Sequence, residues 1–379
     1  MRLKLCIVVR THWAARMGGS QYQAKVLIDY LLEHYDVDIV YLTARSDPKF
    51  TPSGYRIVTF SDARGLRRYG SFFDVARLYR ALERERPDII LQFVGCAHTG
   101  IAALYARRHG CKMIWRVTND PSVEPPKASW LAPHRKLERL FLNFGIRNAT
   151  LVLAQTEYQR ARLAEAFPNA QVQVLPNFHP SPPDCGRNGA VVRQVAWIAN
   201  FKPLKNPGAF VRLARRFAHR SDVRFVIVGG APAGEWAKQQ LDDIAATPNV
   251  DYRGALSQSA VNSLLEHTDL LVNTSDHEGF SNTFIQAWMR RVPVVSLRVD
   301  PDRLLSRGGL GAVASGDEEK LYESVASLLD DPDRCAEIGA RARRYALEHH
   351  AESNIETLAR LLDLERWLTR DLAAPRLSR

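Results

Sequence analysis

One stretch of the sequence combines a short acidic loop, a glycine and the start of a helix. Glu278 and Gly279 lie in the loop, and a helical pattern begins at about Asn282, with Ser281 or Asn282 as the predicted N-cap. A glycine-containing loop that leads into a helix offers backbone amides and the positive end of the helix dipole to an anion such as a phosphate. Glu278 and Gln286 would flank that anion as hydrogen-bonding groups. An ordinary loop and amphipathic helix has the same spacing, so the rest of the sequence must decide.

Two further loops have residues suited to phosphate contact. Lys202 and Lys205, in the loop 200–207, follow a predicted strand, and their charges suit a diphosphate. Surface lysines would look the same. Gly18 and Gly19 lie between the first predicted strand and a helix, where such contacts occur in α/β folds. The pattern is not GxGxxG, and a plain tight turn fits it equally well.

Polar residues also follow predicted strands in the first half of the chain. His98 and Asp120 lie just beyond strand ends, where a parallel sheet presents its working residues; each could equally be structural. Asp36 and Asp38 form a DxD pattern, which many sugar transferases use to hold a divalent metal. No third ligand is nearby, so we predict turn and strand-edge polarity there and no metal site.

The elements that would position these residues alternate along the chain. Short β-rich runs and helical patterns follow one another at the spacing of βαβ units, which predicts parallel, doubly wound α/β sheets. Residues 176–189 contain four prolines and two glycines and are the predicted linker. We therefore predict two Rossmann-like domains, 1–180 and 190–350, with a ligand cleft between them. A last helix, at about 352–372, begins a C-terminal segment, 352–379, that is expected to pack back on the first domain.

The charge of the chain is concentrated in its first half. The 379 residues have a formal charge of +11, and residues 1–185 contain 26 Lys and Arg against 16 Asp and Glu. Such an excess is typical of a polyanionic partner: nucleic acid, an anionic membrane or a phosphorylated acceptor. It is also compatible with a solvated basic face. No nucleic-acid-binding motif is recognisable, so we predict no nucleic-acid partner.

The stretch 130–144 has apolar residues at helical spacing among basic ones, as an interfacial membrane helix requires. A core-packed amphipathic helix explains the same pattern. The basic residues 64–68 and those of 77–86 belong to the same domain. The residues that carry the pattern are His134, Arg135, Lys136, Leu137, Arg139, Leu140, Phe141 and Phe144.

Cysteine usage and hydropathy indicate the compartment. The five cysteines include no CxxC pair, which is typical of reduced thiols in a cytosolic protein. The apolar run near Met1 is too short for a signal peptide, and no stretch approaches the 18 or so apolar residues of a membrane span. The predicted location is cytoplasmic, with any membrane contact peripheral, at the inner face.

Taken together, these segments resemble the retaining GT-B glycosyltransferases of the family-4 type, which make bacterial surface polysaccharides among other products. The resemblance runs through nearly the whole chain, in the family's order. The matching pieces are Gly18-Gly19-Ser20, Thr118-Asn119-Asp120, Val174–Phe178, Lys205-Asn206, Tyr252-Arg253-Gly254 and Ser275–Val295.

The resemblance implies a role for each matching residue. Lys205 would neutralise the donor's diphosphate, Glu278 would hold hydroxyls of the transferred sugar, and Gln286 would bind the ribose diol. Glu278, Lys205 and Asp120 are the implied catalytic residues; the donor would be a UDP- or GDP-type sugar, with no cofactor and no metal. The implied donor-binding residues are Gly18, Gly19, Asn200, Lys202, Lys205, Ser275, Glu278, Gly279, Phe280, Ser281, Asn282, Thr283 and Gln286. His98, Arg135, Lys136 and Arg139 are predicted to contact the acceptor or a membrane.

Four positions depart from the family pattern. Gln286 stands where the family has a second glutamate, Asn200 where an arginine is usual, and Asn119 where a histidine is frequent. Arg291 stands where a glycine is expected. An amide at 286 replaces a charge-assisted hydrogen bond by a neutral one, which costs about 1 kcal/mol, or several-fold in donor affinity.

Three functions are compatible with the sequence. The first is sugar transfer from a nucleotide-diphosphate sugar to a glycan or lipid-linked acceptor. The second is a catalytically weak nucleotide-sugar-binding partner of an active transferase. The third is a sugar-nucleotide epimerase on the same scaffold, which would need no acceptor.

Overall fold

The computed structural model describes residues 2–61, 70–124, 133–184 and 192–368. The predicted basic segment 64–68, Cys185, the end of the linker and residues from 369 onward lie outside these ranges. The chain forms two compact α/β units. One contains the described residues of Met1–Phe178 and Glu352–Arg379, and the other is His179–Ala351.

The first unit contains a seven-stranded parallel sheet of order β3-β2-β1-β4-β5-β6-β7. Its central strands are apolar runs buried on both faces, as parallel strands covered by helices are. The strands are β1 Leu3–Val8, β2 Val37–Thr43, β3 Arg56–Thr59, β4 Ile89–Phe93, β5 Lys112–Arg116, β6 Leu151–Ala154 and β7 Val172–Val174.

Five helices connect these strands, and a sixth returns from the end of the chain. The sixth, α12, places Ile355 and Leu358 in the same core as β1 and α1. Lys112 fixes the segment after it by donating to the Leu361 carbonyl (2.7 Å) and the Asp363 carboxylate (2.8 Å). The helices are α1 Gly19–His34, α2 Val75–Glu85, α3 Ala97–His109, α4 Pro133–Asn148, α5 Glu157–Ala166 and α12 Ser353–Leu361.

The second unit contains a six-stranded parallel sheet of order β10-β9-β8-β11-β12-β13. Its strands are β8 Arg193–Ile198, β9 Val223–Val228, β10 Val250–Tyr252, β11 Leu270–Asn273, β12 Val294–Ser296 and β13 Gly311–Val313. Its helices are α6 Pro207–Arg216, α7 Glu235–Ala245, α8 Gln258–Glu266, α9 Asn282–Trp288, α10 Glu318–Asp330 and α11 Pro332–His349. The prediction of two Rossmann-like parallel-sheet domains is confirmed.

Each sheet has one point where the strand order reverses. In the first unit the chain proceeds from β1 to β3 on one side and then returns to place β4 beside β1. In the second unit β11 is placed beside β8 in the same way. In each sheet taken by itself, the reversal lies between two neighbouring strands, and the carboxyl ends of such strands are where open α/β sheets bind their ligands.

The structure contains features that the alternating strand and helix pattern did not predict. A 3₁₀ turn, Ser71–Asp74, precedes α2. The short strand β13 was not predicted. The last helix ends at Leu361 because Asp363 adopts a left-handed conformation (φ 55°) and the Leu364 amide bonds back to the Ala359 carbonyl.

Candidate functional site

The loops after β8 and β11 bring Lys205 and Glu278 together at the reversal point of the second sheet. Lys205 Nζ lies 2.9 Å from Glu278 Oε1, and the two side chains are 19% and 13% exposed. The same carboxylate oxygen accepts hydrogen bonds from Asn273 Nδ2 (2.8 Å) and Ser275 Oγ (2.6 Å). The two predicted catalytic residues of this unit therefore form one fixed, mostly buried cluster.

The electrostatics of this cluster keep Glu278 ionised. Burial raises the pKa of its carboxyl, but the Lys205 ammonium and the hydrogen bonds from Ser275, Lys205 and Asn273 outweigh it and leave that pKa below its usual value. Glu278 is therefore a carboxylate at neutral pH, able to accept hydrogen bonds from hydroxyl groups.

Thr274 connects the loop after β11 to the loop after β8. Its hydroxyl lies 2.8 Å from the carbonyls of Lys205 and Asn206 and accepts from the Trp197 indole at 2.9 Å. The Asp276 amide also donates to the Leu204 carbonyl. Asn273 and Thr274 were not predicted as site residues, because nothing in their spacing separates them from ordinary strand-end residues.

Helix α9 begins next to this cluster, at Asn282. Ser281 is its N-cap by position, but its hydroxyl contacts Thr283 Oγ1 (2.9 Å) and does not accept from a first-turn amide. The side-chain cap predicted for Ser281 is therefore absent. The Asn282 side chain contacts His179 Nε2 at 3.2 Å.

The remaining predicted residues of this unit lie on the same two loops and on α9. Gln286 is buried, with 4% of its surface exposed, and its backbone carbonyl accepts from Arg290. The Phe280 ring packs against His350 (4.5 Å between centroids), so its side chain serves the core. Lys202 caps the short 3₁₀ turn that contains Lys205, and Asn200 follows β8.

Three of the predicted donor-binding or catalytic residues belong to the first unit. Gly18 is the extended N-cap of α1, and Gly19 is that helix's first residue. Asp120 opens a short 3₁₀ turn after β5, and its Oδ1 accepts from Gln159 at 2.8 Å. Asn119 caps the same turn by accepting from the Ser122 amide, a structural role for this departure from the family pattern.

The stretch predicted as an interfacial helix is α4, and only part of it is exposed. Phe141 and Phe144 pack against the core of the first unit. Arg139 turns inward, donates to the carbonyls of Ser122 and Glu124 and has a pKa lowered by burial. The Arg139 guanidinium is therefore tied to the backbone of its own unit, and its contact with an acceptor or a membrane stays a prediction. Arg135 and Lys136 are exposed, and His98 is buried at 1% exposure.

The DxD pattern makes surface ion pairs. Asp36 pairs with Arg2 (2.7 Å), and Asp38 lies 3.4 Å from Arg56. In the described ranges, no three His, Cys, Asp or Glu side chains come together as metal ligands do. Within those ranges, too, none of the helices has the length and apolar character needed to cross a bilayer.

Comparison with known proteins agrees with this fold. The family described as Glycosyltransferase Family 4 matches residues 17–181, and that described as Glycosyl transferases group 1 matches residues 192–331. Together the two families cover most of the chain. The chain is a glycosyltransferase of the family-4 type, with the GT-B fold.

One relative and two solved structures illustrate the range of the family. A GDP-mannose-dependent alpha-(1-6)-phosphatidylinositol monomannoside mannosyltransferase of Mycolicibacterium smegmatis is 25% identical over 90% of this chain and 94% of its own length. Sucrose-phosphate synthase of Thermosynechococcus elongatus superposes with a TM-score of 0.77 at 14% identity, covering 96% and 98% of the two chains. Anabaena HepE, solved with UDP-glucose, gives 0.73 at 16% identity, covering 96% and 100%.

Proposed function

We propose that the chain transfers a sugar from a UDP- or GDP-type nucleotide sugar to a glycan or lipid-linked acceptor in surface polysaccharide synthesis, with retention and without a metal. The observation that carries the proposal is the buried Lys205–Glu278 pair at the reversal point of the second sheet. The donor types are those named for two similar proteins, GDP-mannose for the mannosyltransferase and UDP-glucose for HepE.

The chemistry follows from which charges change during transfer. The leaving nucleoside diphosphate gains negative charge as its bond to the sugar breaks, so a fixed cation beside it stabilises the transition state. Lys205 has three N–H donors, and Glu278 takes one of them, which leaves donors for the diphosphate. Among the described residues, the contacts to Glu278 all reach Oε1. Its Oε2 is the group we assign to the hydroxyls of the transferred sugar.

Binding is tested first, by a thermal-shift screen of UDP- and GDP-sugars, because a ligand of the native state raises apparent stability as ln(1 + [L]/Kd). Transfer is then compared in Glu278→Gln and Asp276→Asn. Glu278→Gln keeps the shape and loses the charge, so we expect its rate to fall on the order of a hundredfold. Asp276 is exposed in the same loop, and its variant should stay within twofold. Full activity of Glu278→Gln would refute the assigned role.

A second candidate function is a nucleotide-sugar binder that assists an active transferase. The observation in its favour is Gln286, which is buried in α9 where the family has a carboxylate. Calorimetry with UDP- and GDP-sugars, combined with a donor-hydrolysis assay, separates the two functions. Tight binding with neither hydrolysis nor transfer would favour the binder.

We also propose peripheral contact with the inner face of the cytoplasmic membrane, through the exposed face of α4. Leu140 is 63% and Leu137 38% exposed, beside the exposed Arg135 and Lys136. Apolar side chains next to cations are what an interface with anionic lipid requires. Leu140→Glu should reduce co-sedimentation with vesicles that contain phosphatidylglycerol several-fold. Equal sedimentation with purely zwitterionic vesicles would contradict the role of charge.

A further inference from the structure

A polar pocket of about 310 Å³ lies within the second unit, between α6 and one face of α7. Pro203 and Asn206, which line it, stand on either side of Lys205 in the short turn before α6, whereas Lys205 itself does not line it. The pocket is therefore separate from the Lys205–Glu278 cluster, although it adjoins the turn that carries Lys205. Among its lining residues are Asn206, Gly208, Arg212, Trp236, Gln240 and Asp243.

The indole ring of Trp236 forms an apolar wall of this pocket. Trp236, Gln240 and Asp243 are four and three residues apart, so they lie on the same face of α7. The Trp236 ring is half-buried and packs in part against the core of the second unit, which holds it in place. A fixed aromatic face beside polar side chains suits a ligand that has an apolar face and a polar edge.

The amide side chains of the pocket retain unused hydrogen-bonding groups. Asn206 Oδ1 caps α6 by accepting from the Ala209 amide at 3.3 Å, and its Nδ2 has no partner among the described residues. The Gln240 side chain makes no hydrogen bond to any residue that the structure describes, and a Cβ added at Gly208 would lie 3.3 Å from its Oε1. Donors and an acceptor are therefore available side by side in one small pocket.

The charged residues around the pocket are paired with one another. Arg212 forms a bidentate pair with Glu318, Nε to Oε2 at 2.9 Å and Nη2 to Oε1 at 2.6 Å. Arg215 Nη2 lies 3.4 Å from Asp243 Oδ1. Each guanidinium has its own carboxylate, so the pocket offers no excess charge to a phosphate or another anion. Within the described ranges, Arg212 Nη1 and Asp243 Oδ2 remain as a donor and an acceptor for a neutral ligand.

We propose that this pocket is a second binding site, which takes a neutral sugar ring. The C–H face of the ring stacks on Trp236, and its hydroxyls bond to the Gln240 amide and to Asn206 Nδ2. A hydroxyl both donates and accepts, which is what an unpaired amide requires. The volume lies at the lower end of the range for small-molecule sites, so the pocket suits one sugar ring better than a whole nucleotide sugar. Binding here does not require the proposed transfer reaction.

The test measures binding of methyl α-D-glucopyranoside and methyl α-D-mannopyranoside to the full chain by saturation-transfer NMR titration. Gln240→Leu removes the amide and keeps a side chain of similar size, so we expect about tenfold weaker binding. Gln239→Leu makes the same change at the next residue, which is exposed and does not line the pocket, and should stay within about twofold. No binding of either glycoside, or equal losses in the two variants, would overturn the proposal.

Two substitutions at Trp236 test the stacking contact. Trp236→Ala removes the aromatic face, and Trp236→Phe retains a smaller one. We expect binding of both glycosides to weaken more than about tenfold in Trp236→Ala and to recover in part in Trp236→Phe. Because the pocket has no excess charge, a higher salt concentration should change the affinity by less than about twofold. Unchanged binding in Trp236→Ala, or a steep dependence on salt, would contradict the proposed contacts.

A further variant distinguishes this pocket from the donor site. Glu278→Gln alters the Lys205–Glu278 cluster and should leave glycoside binding unchanged; a loss in this variant without a loss in Gln240→Leu would place the glycoside at the donor site and overturn the proposal. Thermal shifts with UDP- and GDP-sugars, measured on the same samples, report whether each variant is folded and binds a donor. If the glycosides bind while no nucleotide sugar does, the proposed transferase function fails and the sugar pocket stands.

Discussion

Arg291 makes one unfavourable and one favourable contribution to the stability of the fold. It follows α9 in a left-handed conformation (φ 58°), the position where the family pattern has glycine. A side chain with a Cβ costs free energy there, of the order of 1 kcal/mol. The same side chain forms a bidentate pair with Asp184, Nε–Oδ1 at 3.1 Å and the second nitrogen at 2.6 Å. The backbone cost and the ion pair can be separated by substitution.

We predict that Arg291→Gly is more stable than Arg291→Ala by about 1 kcal/mol. Both variants lose the Asp184 pair, so their difference isolates the backbone. Urea unfolding of the full chain, followed by tryptophan fluorescence, measures it. An alanine variant as stable as the glycine variant would show that the conformation is not strained.

At the residue scale, the sequence predicted the main side chains of the site but not the residues that hold those side chains in place. Lys205 and Glu278 could be predicted because basic and acidic loop residues stood after strands at family spacing. Thr274 could not, since its hydroxyl joins the two loops only once Lys205 and Trp197 are brought beside it. His98 was singled out for its position after a strand, but its burial depends on contacts with the Ser71 backbone and the Phe60 ring, which are distant in the sequence.

At the scale of elements, α3 and α4 pack closely through two glycines. A Cβ on Gly100 would lie 2.3 Å from the Phe141 carbonyl oxygen, and one on Gly145 would lie 2.6 Å from the Thr99 backbone. Contact at this distance is possible only without side chains.

We predict that Gly100→Ala destabilises the chain by about 1–3 kcal/mol, because the added methyl group meets backbone that cannot move without shifting the helix. Arg107→Ala, on the same helix and exposed, should change stability by less than about 0.5 kcal/mol. Thermal unfolding of the two variants provides the comparison. Equal stability of Gly100→Ala and the native chain would mean that the helices can separate at no cost.

Amphipathic spacing alone could not place α4. Leu140 and Phe141 are neighbours in the sequence, yet one is 63% exposed and the other packs on the core. Periodicity fixes an apolar stripe but not which edge of it a neighbouring helix covers, and the close glycine contact with α3 decides this. The same limit applies after α12, where the apolar pattern continued but Asp363 ended the helix.

For the whole molecule, buried neutral histidines link stability to pH in both units. His98 lies in the first unit and His179 in the second, each with a pKa lowered to about 3, mainly by burial. In the unfolded chain each would titrate near its ordinary pKa of 6.5. Below that pH the unfolded state binds protons that the folded state does not, so stability present above pH 6.5 is lost on acidification towards 3.

We predict that the free energy of unfolding falls as the pH is lowered from 6.5 to 5, by up to about 1.4 kcal/mol per pH unit for each histidine. Below about 4.5, protonation of Glu278, whose pKa is also lowered, adds to the loss. Urea midpoints measured between pH 7.5 and 5 give the dependence of the unfolding free energy on pH. His179→Gln should reduce this dependence by the contribution of one histidine. A flat profile over that range would contradict neutral burial.

The return of α12 to the first sheet makes the second unit an insertion within the first. The core around β1 contains Ile355, Leu358 and Leu364, contributed after the whole second unit has been synthesised. The chain leaves the first unit after Phe178 and re-enters it at Glu352. These two points are adjacent, since the Asn354 side chain donates to the Asn177 carbonyl at 3.5 Å. During synthesis, one face of the first sheet therefore lacks α12 until some 170 further residues have been made. In a shortened chain that joins Phe178 directly to Glu352, α12 would follow the first sheet at once.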